Sequence, residues 1–153
     1  MTRMIATLAA ILVLVGFARS GDDLTADEKK LIKLVNAERK KVDLPPLKAN
    51  EKLMKAARGH SANMAAKGQL DHTLDEKGPG ERLKDVRYAS TGWGENIAAG
   101  QRTPAEAMES WMNSEGHRAN LLGKDYREIG VALAKADDGT IYWTQVFAIP
   151  GRE

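Results

Sequence analysis

The chemistry open to this chain rests on three histidines, one glutamate set among glycines, and a few serines. Cysteine is absent, which excludes disulfides, thiolate nucleophiles, cysteine-ligated zinc and iron–sulfur clusters. Any metal must therefore be held by imidazole and carboxylate. His60 falls on the apolar stripe of a helical segment, three residues after Ala57 and four before Met64, and reads as a packing residue. His72 and His117 are placed by no core periodicity and are freer to serve a site. No HExxH pair exists, so local spacing alone gives only weak support for a metal centre. Glu95 lies in Gly92-Trp93-Gly94-Glu95-Asn96-Ile97, where the glycines allow tight turns or close approach of other groups. It either accepts hydrogen bonds from neighbouring backbone or is aimed at a cleft. The same stretch lacks the third glycine and the Lys-Ser/Thr of a phosphate cradle. No serine sits in a G-x-S-x-G elbow, and Ser114 reads first as a cap for the turn that carries His117.

The elements that must position these residues have clear boundaries. Thr25-Ala26-Asp27-Glu28 is a capping box, and Leu31, Leu34 and Val35 follow at helical spacing. This predicts a helix from Ala26 to Lys41, stopped by Pro45-Pro46. Asn50 caps a second helix that runs to Lys67, with Gly68 as its stop. Residues 68–100 are expected to be mostly irregular, with a short helical turn over Glu81 to Val86. Thr103-Pro104-Ala105-Glu106 starts the next helix, whose buried face is Ala107, Met108, Trp111 and Met112. A short helical turn over Glu115 to Leu121 follows. Ile129, Val131 and Leu133 alternate, Asp137-Asp138-Gly139 turns the chain, and Thr140 to Ile149 reads as a strand. Helices first and a hairpin last predict an α+β fold.

Composition narrows the partners. Met1 to Ser20 has a basic start at Arg3, an apolar run from Ile5 to Phe17 and the small residues Ala18 and Ser20 before a cut at Gly21, the layout of a secretory signal peptide. The apolar run is too short to span a bilayer, so no stable membrane anchor is expected after cleavage. The expected destination is the periplasm or the medium. Lys+Arg number 23 and Asp+Glu 21, and the leader's only charges are Arg3 and Arg19, so the exported part is electrically balanced. Such a chain has no footprint for a nucleic-acid backbone.

Taken in order, Leu34-Val35-Asn36-Ala37-Glu38-Arg39, His72, Gly94-Glu95-Asn96, Trp111-Met112-Asn113-Ser114-Glu115-Gly116-His117-Arg118, Ile129-Gly130-Val131 and Tyr142-Trp143-Thr144-Gln145 resemble a CAP domain. That superfamily comprises the cysteine-rich secretory proteins, antigen 5 and pathogenesis-related group 1 proteins. This chain is most similar to its short, disulfide-free bacterial branch. Residues 1–20 are expected to be the leader and 21–29 a lead-in, and the resemblance implies 30–150 as the domain, folded as an α-β-α sandwich with a small antiparallel sheet between helical layers. It further implies an open cleft with His72, His117 and Glu95 as candidate ligands for zinc or another divalent cation, and Ser114, Glu115 and Asn96 as cleft lining. Ser114 stands where the family carries a second glutamate. His60 and Trp111 are expected to be structural.

No single reaction follows from such a resemblance. The first expectation is a non-enzymatic or weakly enzymatic binding domain for a divalent ion, a small polar ligand or a cell-envelope component. The alternatives are a metal-assisted hydrolase of peptide or cell-wall material with Glu95 as base, and a lipid or sterol carrier, which needs a sizeable apolar groove.

Overall fold

The computed structural model describes residues 23–152; the leader expected at 1–20 lies outside them. In chain order the elements are α1 (Ala26–Lys41), β1 (Lys48–Ala49), α2 (Glu51–Lys67), α3 (Pro79–Asp85), β2 (Ser90–Ala99), α4 (Pro104–Met112), α5 (Glu115–Leu121), β3 (Glu128–Lys135) and β4 (Ile141–Pro150).

Helix starts follow the local chemistry. Thr25 Oγ1 accepts from the Glu28 backbone at 3.2 Å, and the Glu28 carboxylate accepts from the Thr25 N–H at 2.7 Å. Asn50 Oδ1 accepts from Lys52 and Leu53, and Gly68 closes α2 in the left-handed region at φ 61°. Each such cap stabilises its helix by about 1 kcal/mol.

The four strands lie in the order β1-β3-β4-β2, with β1 parallel to β3 and the other pairs antiparallel. The last strand of the chain is therefore central, and β2 is an edge. One face of the sheet carries Ala98, Val131, Trp143 and Phe147 against Leu31 and Val35 of α1 and Met108 and Trp111 of α4. The other face carries Ala132, Val146 and Ala148 against Leu53 and Ala57 of α2 and Leu83 of α3. This is the α-β-α sandwich.

Two parts of the architecture differ from the sequence expectation. Residues 90–99, expected to be irregular, form β2, paired along its length with β4. Its glycines exist for close approach: a Cβ at Gly94 would lie 2.6 Å from the Tyr126 hydroxyl, and one at Gly92 would lie 2.8 Å from Ile149 Cδ1. The two-residue β1 also adds a parallel pair that no periodicity announces.

Candidate functional site

Because side chains alternate along a strand, Glu95 and Asn96 point to opposite faces of β2. Glu95 shares its face with its cross-strand partner Val146, under α2 and α3, whereas Asn96 pairs with Gln145 on the face that α5 covers. Since β2 is an edge, groups from the two helical layers can reach past it towards each other.

On the α2/α3 side, the Glu95 carboxylate is almost fully buried, and three cationic or protonatable groups surround it. His72 Nδ1 stands 2.8 Å from Oε1, the Arg82 guanidinium 2.5 Å from Oε2, and His60 Nε2 3.8 Å from Oε1. Of the two readings the sequence left open, Glu95 thus takes its side-chain partners from other segments, and its backbone carbonyl accepts from Asn120. Arg82 does more than neutralise it: Nη1 donates to the His72 carbonyl at 2.9 Å and the Lys77 carbonyl at 2.8 Å. One α3 side chain so fixes both the backbone of His72 and the carboxylate that orients its ring. No sequence signal singled out Arg82; only its position facing Glu95 reveals it.

On the other side, Asn96 is fully buried and does not line the cleft. The amide is turned inward: Nδ2 donates to the His117 carbonyl at 3.0 Å, and Oδ1 accepts from Asn120 at 2.9 Å. Asn96 holds the α5 turn against the strand. Ser114 occupies the N-cap position of α5 without a capping bond from its side chain, and Glu115 is exposed in the first turn. Trp111 is buried and donates from Nε1 to the Ile97 carbonyl at 3.0 Å, pinning α4 to β2. His60 is also buried, 1% exposed, with its ring beside Glu95.

The three imidazoles are tuned apart. The hydrogen bond with Glu95 raises the pKa of His72 above the ordinary value, against a smaller opposing effect of burial. Burial lowers that of His60, and burial together with the charge of His72 lowers that of His117. His72 and His117 therefore feel each other across the edge of β2. Since His72 donates from Nδ1 to the carboxylate, its Nε2 is left outward on a half-exposed ring.

The sign of the pH effect follows. A raised folded-state value means that His72 stabilises the fold fully below about pH 6.5 and loses that contribution as pH rises through its folded pKa. The His72 ring, followed by NMR, should titrate with a midpoint above 6.5. Glu95→Gln should bring the midpoint down, because the bond and charge of Glu95 that raise it are gone and only the charge of Asp71 still opposes burial and Arg82. A midpoint unchanged in that variant would refute the pairing.

As a cation site, the residues fit in a specific way. His72 Nε2 and His117 are suitable imidazole donors, and Glu95 fits as the carboxylate behind a ligating histidine. Glu95 does not fit as a ligand, because both its oxygens are engaged, and Ser114 supplies no second carboxylate. Among the described residues no group of three His, Cys, Asp or Glu side chains is arranged to hold a metal ion.

Comparison with known proteins agrees with this architecture. The sequence pattern of the cysteine-rich secretory protein family, CAP, matches residues 32–147. The Bacillus subtilis protein YkwD is 44% identical over 125 residues, covering 81% of this chain and 48% of that protein, so the chain spans about half the length of this relative. A Bacillus anthracis extracellular protein containing an SCP domain superposes with a TM-score of 0.72 at 31% identity, covering 80% of this chain and 40% of the other. An outer surface protein of Borrelia burgdorferi superposes with a TM-score of 0.79 at 24% identity, covering 84% and 96% of the two chains. With the family pattern matched over residues 32–147 and the sandwich in agreement, the chain belongs to the CAP family.

Proposed function

We propose that this chain is an exported CAP-domain binding protein whose cleft, formed by His72 and His117 around the edge of β2 and backed by Glu95, takes a divalent cation or a small polar ligand. The observation that carries this reading is the 2.8 Å bond between His72 Nδ1 and Glu95, which fixes the ring and leaves Nε2 outward. His117, held below the usual histidine range, keeps a lone pair available at neutral pH. Export is supported by the leader-like first twenty residues and by relatives described as extracellular or outer-surface proteins. A cation held by two imidazoles would keep open positions, and it would supply Lewis acidity to whatever fills them. The hydrolase alternative asks Glu95 to act as a base, yet its carboxylate is buried and both its oxygens are already engaged. Binding is the reading the geometry favours.

Calorimetric titration with zinc tests it. The wild type should bind one ion, and His72→Ala and His117→Ala should each weaken binding at least tenfold. Glu95→Gln should weaken it roughly 10- to 100-fold through the orientation of His72. Affinity should fall as pH drops through the His72 midpoint, because a proton competes for the ring. Wild-type affinity in both histidine variants would end the proposal for a cation.

A further inference from the structure

We infer that the outward face of α1 is a docking surface for an anionic phospholipid bilayer, met reversibly through a row of lysines and separate from the His72–His117 cleft. The exported part is balanced in charge overall, but its charges are not evenly spread. At about 100° of rotation per residue, Lys29, Lys30, Lys33, Lys40 and Lys41 fall within an arc of roughly 120° that otherwise carries only Ala26 and Ala37. Every one of these residues is exposed. The arc lies opposite the stripe of Glu28, Leu31, Val35 and Arg39 that α1 buries, so packing against the sheet turns it to solvent. Asp27 and Glu38 sit at its rim, and buried Glu28 is turned to Arg58. Among the described residues only Lys41 of these lysines holds an ion pair, with Glu38 at 2.7 Å.

The form of the face selects a flat partner. A helix is a convex ridge, whereas a single charged polymer is usually held in a groove that tracks its backbone. From Lys29 to Lys41 the ridge is about 18 Å long, and the long flexible side chains let all the ammonium groups reach one plane together. The basic residues of the arc are all lysines, compact and strongly hydrated charges, with no guanidinium fork among them to grip one phosphate. Such a row gives diffuse attraction to a fluid layer of headgroups, about a fivefold gain in affinity for each lysine near the surface. Contact stops at that depth. The apolar stripe of α1 is buried in the core, the arc offers nothing apolar larger than alanine, and no described helix is long and apolar enough to cross a membrane.

The rest of the molecule sets the orientation. The helix α4, which packs in the same layer as α1, exposes Glu106 and Glu109. An anionic surface repels these carboxylates, so the molecule rests on α1 with α4 tilted away. His72 and Glu95 belong to the opposite face of the sheet, under α2 and α3, and docking through α1 leaves them accessible from solution.

Vesicle sedimentation tests this with the form that begins at Gly21, which keeps every described element and the core. That form should sediment at low salt with vesicles of phosphatidylglycerol and phosphatidylcholine in equal parts, and stay in solution with phosphatidylcholine alone. Salt at about 0.5 M should release it, because charges are then screened within a few ångströms. Each of Lys29→Gln, Lys30→Gln, Lys33→Gln and Lys40→Gln keeps a good helix former at an exposed position and should weaken binding about fivefold. Lys84→Gln and Lys135→Gln, exposed on α3 and β3, should leave it unchanged. Spin-labelled lipid should broaden the amides of α1 more than those of α4. Zinc affinity should be the same in all these variants, which separates failure here from failure of the cleft proposal. Absence of sedimentation, equal binding to both kinds of vesicle, equal losses at Lys84 or Lys135, broadening centred on α4, or tighter binding to linear inorganic polyphosphate than to the vesicles would overturn the inference.

Discussion

Arg39→Ala should destabilise the fold by about 4 kcal/mol and loosen the turn that carries His117. Arg39 is completely buried, yet its hydrogen bonds go to backbone carbonyls and to no carboxylate. Nε donates to the Pro45 carbonyl at 3.0 Å, and Nη1 donates to those of Leu121 and Gly123, both at 2.9 Å. Two of these acceptors lie at the end of α5, where helix carbonyls lack intrahelical partners and favour a cation. Truncation removes three charge-assisted bonds and leaves buried acceptors and a void. Denaturant unfolding measures the loss, and broadening of the His117 ring signal reports the loosened turn. Arg39→Lys should recover only part of the stability, because a point-like ammonium cannot reach three carbonyls set out for a guanidinium fork. A loss below about 1 kcal/mol for the alanine variant would show that the cost of burying the charge cancels its bonds.

Gly130→Ala should cost about 3 kcal/mol or more, from one added methyl group. Gly130 lies on β3 beneath α2, and a Cβ there would sit 2.2 Å from the Leu53 carbonyl carbon and oxygen and 2.6 Å from the Met54 nitrogen. These are backbone atoms in a helix, so no rotamer change relieves the clash; α2 must move away from the sheet. α2 carries His60, so the ring beside Glu95 moves too. Thermal unfolding should drop by roughly 10 °C. Gly59→Ala on the same helix is the control. It meets open space and should stabilise the fold by about 0.5–1 kcal/mol. Equal effects at the two positions would contradict the packing of α2 on β3.

The sequence revealed what is local. Thr25, Asn50, Gly68 and Thr103-Pro104 mark helix ends through interactions within a few residues, and the structure places those ends at the same positions. Strand β2 was hidden because its glycines read as loop. A period-two pattern was nevertheless there, with Trp93, Glu95 and Ile97 on one face and Gly94, Asn96 and Ala98 on the other. The glycines serve contacts with Tyr126, Asn120 and Ile149, all distant in the chain. Glu95, His72 and His117 stood out because charged or titratable groups in aperiodic or glycine-rich surroundings attract attention. Arg82 and Arg39 did not, since an arginine on a helix ordinarily faces water, and only the fold shows which carbonyls and carboxylates they meet.

The place of β4 in the sheet also bears on how the molecule comes into being. Its strand, residues 141–150, lies between β3 and β2. A polypeptide emerging from its amino end can coil α1 and α2 early, but β2 has no neighbour to pair with until the final strand arrives. Chains cut short before Ile141 should therefore present unpaired edges and unburied aliphatic faces that invite proteolysis or clumping.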